Sequence, residues 1–280
     1  MKKFRLALVQ MQSSPNKNTN LSTSINYIKT AAKKGADLIC FPEFQMAYSP
    51  VTQEPENLFS LAEDINGTFI GTLKKSAKEY SISIVATIYE RVNTGKQNFR
   101  VSDTATFISS NGKIKSVYRK VHLYDALGFK ESIKLVRGNS IEKPVNTSCG
   151  KFGLMICYDV RFPEMSRILT IMGADILVMP SAWVSGIMKE EHWQIMTKSR
   201  AIENGVFIVA PNQIGNIYSG RSTVIDPFGA VMIDMGTEEG LAIIEIDTSV
   251  ITRIRKALPL ISNRRTDVYE SNKGYLFAKS

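Results

Sequence analysis

Two hydrophobic periods alternate along this chain, and together they predict its elements. Phe4 to Val9 is a short apolar run of strand type. Leu21 to Lys34 carries apolar residues at helical spacing (Ile25, Ile28, Ala31, Ala32), with Gly35 placed to cap its end. Strands are predicted at Ala36 to Phe41 and Ser83 to Tyr89, and a helix at Ile70 to Tyr80. Thr104 to Ile108 and Ile114 to Tyr118 flank Asn111-Gly112, a pair that supplies the positive φ angles of a tight hairpin turn. A second hairpin runs from Val145 to Ser148, then Lys151 to Cys157. After it come a helix at Glu164 to Met172, a strand at Ile176 to Met179, a helix at Glu190 to Asn204 and a strand at Val206 to Ala210. Short strands at Ser222 to Ile225 and Ala230 to Ile233 flank Asp226-Pro227-Phe228-Gly229. A late strand, Leu241 to Ile246, and a basic helix, Val250 to Leu258, complete the order. Strands that alternate with helices in places and form hairpins in others imply mixed sheets with helices outside them, an α/β fold. No linker, low-complexity tract or repeat divides the 280 residues, so one domain is expected, with a polar tail from Asn263.

Composition narrows the classes. A hydrophobic content of 44% against 22% charged residues suits a globular enzyme with a full core. The net charge of +9 is scattered rather than striped, and no nucleic-acid motif accompanies it. The longest apolar runs are strand-sized, so no membrane span is expected. Three cysteines without CxxC spacing argue against a disulfide framework. With a strand-like start that lacks a signal-peptide pattern, they lead us to expect a reducing, cytoplasmic setting.

Three strand ends carry ionisable residues foreign to a core. Cys157 closes the run Gly153 to Cys157, and Pro163 then opens a helical segment. A thiol at such a strand-to-helix turn is expected to have a lowered pKa; a buried structural cysteine is the other reading. Glu43 follows Pro42, which ends strand pairing, and lies between Phe41 and Phe44, so burial is expected to make it a general base; an exposed loop glutamate is the alternative. Lys120 shares a face with Tyr118 and His122, and a solvated edge lysine is its alternative. Together, thiol, carboxylate and ammonium suffice for acyl transfer: base, nucleophile and oxyanion stabiliser. With only His122 and His192, and no G-x-S-x-G, a serine triad lacks its elbow. HExxH, GxGxxG and P-loop patterns are absent, so neither a metal nor a nucleotide is expected.

Taken in order, Phe41-Pro42-Glu43-Phe44, Tyr118-Arg119-Lys120-Val121-His122-Leu123 and Cys157-Tyr158-Asp159-Val160-Arg161-Phe162-Pro163-Glu164 resemble the nitrilase superfamily, the carbon–nitrogen hydrolases. The resemblance spans nearly the whole chain. It implies a four-layer α-β-β-α sandwich of two mixed sheets that dimerises into eight layers; for the polar tail from Asn263, packing on a partner subunit and a loose end are the two readings. It also implies a Glu43, Lys120 and Cys157 triad, a second glutamate at Glu131, an oxyanion-hole N–H at Tyr158, and no cofactor. Cys157-Tyr158-Asp159 looks like the amidase branches, and Arg161 to Glu164 with Glu191-His192-Trp193 resembles the omega-amidase and deaminated-glutathione amidase group. The implied activity is hydrolysis of a small, carboxylate-bearing amide through a thioester. Tyr158, Arg161, Trp183 and His192 are the implied substrate contacts; for Arg161, pairing with Asp159 or Glu164 is the alternative. A nitrile or carbamoyl-amine hydrolase of the same fold, or a non-catalytic scaffold, are the other functions. Ser185 to Glu190 departs from the small residues familiar before the His-Trp pair, and the loop Tyr124 to Phe129 is short. Both are expected at the substrate pocket.

Overall fold

The computed structural model describes residues 3–92 and 100–276. The first strand, β1 (Lys3–Gln10), shows why the fold has layers. Phe4, Leu6 and Leu8 alternate with Ala7 and Val9, and both sets are buried, in two different cores. A strand apolar on both faces must be covered on both. Leu38 and Cys40 of β2 (Leu38–Cys40) face the inner core with the first set, and Ile39 faces the outer one. Helix α1 (Lys17–Lys33), preceding β2, covers the outer face with Ile28 and Ala31. It begins one turn before its apolar period because the Asn16 side chain caps it, accepting from the Asn18 and Thr19 amides. A short helix that the periodicity does not reveal, α2 (Pro55–Leu61), buries only Leu58; α3 (Thr68–Glu79) then adds Phe69, Ile70 and Leu73 to the outer core.

The remaining strands are β3 (Ser83–Arg91), β4 (Val101–Ile108), β5 (Ile114–Arg119), β6 (Val145–Thr147), β7 (Gly150–Leu154), β8 (Ile176–Val178), β9 (Phe207–Ala210), β10 (Ile214–Gly215), β11 (Tyr218–Ser219), β12 (Thr223–Ile225), β13 (Val231–Asp234) and β14 (Gly240–Asp247). Both predicted hairpins form, β4–β5 around Gly112 at φ +77° and β6–β7. One sheet runs β14-β1-β2-β3-β4-β5, the other β6-β7-β8-β9-β12-β13. Each places three parallel strands behind one antiparallel edge strand and ahead of two antiparallel strands. The halves therefore share a topology although the sequence shows no repeat. Helices α4 (Pro163–Ile171) and α5 (Lys189–Asn204) pack on each other, and Leu169, Trp193 and Ala201 join them to the second sheet's core. The basic helix is α6 (Ser249–Ala257), and α7 (Thr266–Ser271) lies in the polar tail. The architecture is the expected α/β arrangement of two mixed sheets flanked by helices.

The sheets meet through aromatic rings. Phe152 of β7 lies 5.8 Å from Phe4 and 5.4 Å from Phe107, ring centre to ring centre. We expect Phe152→Ala to cost about 3–5 kcal/mol of unfolding free energy in urea titration. A loss below about 1 kcal/mol would show that this contact does not join the sheets.

Candidate active site

Glu43, Lys120 and Cys157 come to one place because their strands stop there. Glu43 follows β2, with its backbone carbonyl held by the Gln213 side chain at 2.8 Å, and the chain then turns through Phe44 at φ +57°. Lys120 follows β5, its N–H still donating to the Asp103 carbonyl at 2.9 Å. Both side chains are 1% exposed, which excludes the exposed-loop and solvated-edge alternatives. Lys120 Nζ donates to Glu43 Oε1 at 2.6 Å and to Glu131 at 3.0 Å, and lies 3.7 Å from Asp103. Burial alone would lower the lysine pKa. The charges of Glu131, Glu43 and Asp103 outweigh it and hold the ammonium well above its ordinary value.

Cys157 sits past the end of β7, where backbone pairing continues: Met155 N–H donates to the Val178 carbonyl and Cys157 N–H to that of Pro180. Its own φ is +40°, a left-handed backbone that a non-glycine residue keeps only when its surroundings impose it. Asp159 imposes it. Buried beneath the 3₁₀ turn Cys157–Arg161, this carboxylate accepts from the Ile156 N–H at 2.8 Å and the Tyr118 hydroxyl at 2.7 Å, and lies 2.7 Å from His122 Nδ1. Asp159 is thus engaged with groups other than Arg161, and Arg161 forms no ion pair among the described residues. The backbone N–H of Ala182 donates to the Cys157 sulfur. No acceptor among the described residues takes the Tyr158 N–H, which leaves it available to an oxyanion.

The expected lowering of the thiol pKa does not occur. Burial, and then the negative charge of Glu43, push Cys157 well above the ordinary thiol value. Helix α4 begins only at Pro163, and the nearer turn has the Asp159 carboxylate at its positive end. The upward shift favours the protonated thiol at Cys157.

A cavity of about 210 Å³ opens over the sulfur, a size for a small ligand. Glu43, Glu131, Tyr158, Arg161 and Trp183 line it with Cys157; His192 does not. His192 is half-buried on α5, and its Nδ1 has no hydrogen-bond partner among the described residues. Neighbouring Trp193 points into the core instead, 1% exposed. Of the segment Ser185 to Glu190, Lys189 alone reaches the cavity wall, while Ile187 is 96% exposed. The short loop contributes Tyr124, stacked on Phe129.

Residues 5–256 match the family model for carbon–nitrogen hydrolases. The chain belongs to that family. This carbon–nitrogen hydrolase is 34% identical to the deaminated glutathione amidase of Mus musculus over 277 residues, covering 95% of this chain and 84% of the relative. It is 33% identical to an omega-amidase of Mus musculus, covering 98% of this chain and all of that one (100%). Among solved structures, Saccharomyces cerevisiae Nit3, of branch 10 of the nitrilase superfamily, superposes with a TM-score of 0.83 at 30% identity, covering 94% of this chain and 97% of that one.

Asp103 of the hydrolase escaped the periodicity, which starts its strand at Thr104. It is 1% exposed, beside Glu43 and Lys120, and neither of its oxygens receives a hydrogen bond among the described residues. The signal was the one charged residue in a strand otherwise of uncharged residues. Burial and the Glu43 charge, opposed only in part by Lys120, raise its pKa well above the carboxylate range. As a protonated acid it can donate to Glu43. A carboxyl whose pKa is raised on folding favours the native state at low pH. That stability is lost as pH rises from the unfolded value toward the folded one, because the native state then holds a proton the unfolded state has released. Asp103→Asn removes this dependence. Its melting temperature relative to the parent should therefore rise between pH 5 and pH 8 in thermal unfolding; a constant difference would mean Asp103 is ionised throughout.

Proposed function

We propose that this carbon–nitrogen hydrolase is a cysteine-dependent amidase that cleaves the terminal amide of a small carboxylate-bearing substrate through a thioester. The observation that carries the reading is a buried ammonium, Lys120, held between Glu43 and Glu131 behind a cavity that exposes the Cys157 sulfur. Glu43 takes the thiol proton as the sulfur attacks the amide carbon. Lys120 and the Tyr158 N–H stabilise the oxyanion that forms, the term that usually dominates acyl transfer. Glu43 returns its proton to the departing nitrogen, the C–N bond breaks, and ammonia leaves with Glu131 facing it. Glu43 then removes a proton from water, whose oxygen attacks the thioester; the acid is released and the thiol restored. The raised thiol pKa fits this sequence, since proton transfer and attack then occur together on substrate rather than beforehand.

The named relatives support the amide class. Arg161, on the cavity wall with no acidic partner among the described residues, suits the substrate carboxylate. Ammonia release should be measured over ω-amides, simple aliphatic amides, carbamoyl amines and nitriles. We expect ω-amides to be preferred, and Cys157→Ala to lower the rate by about three orders of magnitude or more with an unchanged fold by circular dichroism. Full activity in that variant would end the proposal, and acid formed from nitriles without amide turnover would redirect it.

We further propose a homodimer formed through α4 and α5. Their outer faces expose Ile168, Ile171 and Met172, and Ile195 and Ile202, on adjoining helices, more apolar surface than isolated residues account for. Facing a second copy, this layer would give eight layers in all, with the α7 residues Val268 and Tyr269 free to reach the partner. Light scattering should give twice the mass of a single chain, and Ile195→Asp should give that of one; a wild-type monomer would contradict the proposal.

A further inference from the structure

Lys189 is a buried cation on the cavity wall that the proposed chemistry leaves unused. It is 6% exposed, yet no carboxylate among the described residues pairs with it. The turn before it explains how it got there. Met188 adopts φ +60°, Lys189 N–H closes onto the Gly186 carbonyl at 3.0 Å, and the chain sends Ile187 outward and Lys189 inward. The Lys189 carbonyl accepts from Trp183 Nε1 at 2.7 Å, fixing lysine and indole together. Its ammonium donates to the Tyr124 hydroxyl at 3.1 Å, a neutral partner, which leaves two of its three protons for another acceptor.

A second cation approaches the same ring. The Lys189 ammonium lies 4.8 Å from the centre of a Trp183 ring, and the Arg161 guanidinium lies 4.7 Å from one. Among the described residues, Arg161 Nη2 is buried without a hydrogen-bond partner, and Nη1 meets only the Met196 sulfur at 3.8 Å. Burial and the charge of Arg161 lower the Lys189 pKa, as expected for two like charges without a counterion. Of the other lysines lining this cavity, Lys130 is exposed and Lys134 is already engaged with Ser49 and the Pro50 carbonyl. Two desolvated cations on one indole are costly unless an anion joins them. Cation–π contact offsets part of that cost and fixes their position, and it does not neutralise them.

We propose that Arg161 and Lys189 form a two-cation clamp that grips the distal carboxylate of a short diacid monoamide while its amide lies over Cys157. This rests on the amidase reading and adds Lys189 as a determinant of specificity. The carboxylate takes a two-pronged contact from the guanidinium and a point contact from the ammonium. Tyr124 ties the clamp to the reacting end, since its hydroxyl meets Lys189 while its N–H donates to Glu131 at 2.7 Å.

The test compares succinamate with its uncharged analogue butyramide, and separately the binding of glutarate to the Cys157→Ala variant by calorimetry. Lys189→Met should lower kcat/KM for succinamate about tenfold to a hundredfold, mainly through KM, and shrink the succinamate-to-butyramide ratio by a similar factor. Lys189→Arg should restore most of the ratio, and Lys189→Gln serves if the methionine variant does not fold. Glutarate affinity should fall at least about tenfold when Lys189→Met is added to Cys157→Ala. An unchanged ratio in both neutral variants, or an equal fall for both amides, would overturn the clamp and leave the amidase standing. Glutarate that binds Cys157→Ala equally well with either residue, or does not bind it, would also overturn it. Lys189-dependent glutarate binding without ammonia release from any amide would support the clamp and end the amidase reading.

Discussion

The site depends on a single burial, that of the Lys120 ammonium. Removing such a charge from water costs several kcal/mol even after relaxation, and only close, well-aligned partners can offset it. Glu43 and Glu131 provide them at 2.6 and 3.0 Å. The dependence is mutual, because neither carboxylate would stay at this depth beside Asp103 without the cation between them. An excess of acid over base makes the cluster hold protons as well as charge, and Asp103 and Glu131 both have raised pKa values. The cluster therefore has a proton reserve and a fixed positive point, as general acid–base and oxyanion chemistry require.

The two-sheet frame makes this burial possible. Glu43, Lys120 and Cys157 each follow a strand, and for two of them backbone pairing continues past its end: Lys120 through the Asp103 carbonyl, Cys157 through that of Pro180. Because both sheets share one topology and face each other, β2 and β7 end beside one another although they are far apart in sequence. Asp159 then ties the Cys157 turn to the opposite sheet by holding Tyr118 and His122. That bond explains why a left-handed cysteine persists here.

Much of this was legible because strands and hairpins announce themselves through period and turn chemistry. Asn111-Gly112 and the alternation of β1 could hardly form anything else. The strand ends at Glu43, Lys120 and Cys157 were legible for the same reason, since an ionisable residue closing an apolar run is locally out of place. What escaped depended on surroundings rather than on neighbours in sequence. Asp103 is the third residue of β4, and its raised pKa comes from burial and from Glu43, which follows a different strand. The thiol pKa was read from a nearby helix start, whereas burial and Glu43, both set by tertiary packing, decide it. Glu131 follows from family resemblance alone, because a short 3₁₀ turn has no periodicity to mark it. Lys189 stood out as an unusual stretch, and only the turn at Met188 shows which of its residues faces inward.

The cavity's charges are sorted by position, which has a consequence for binding. Glu43 and Glu131 lie on one part of the wall with Lys120 behind them, while Arg161 and Lys189 bracket Trp183 on another. A substrate with one carboxylate and one neutral amide meets opposite fields at the two places. Placed the other way round, it would set its carboxylate against two acids and its amide against two unpaired cations, losing both interactions at once. Coulomb energies at such distances in a partly desolvated site amount to a few kcal/mol, enough to make one orientation dominate. On the proposed reading, hydrolysis would create a second carboxylate beside Glu43, so the product would be held less firmly than the substrate.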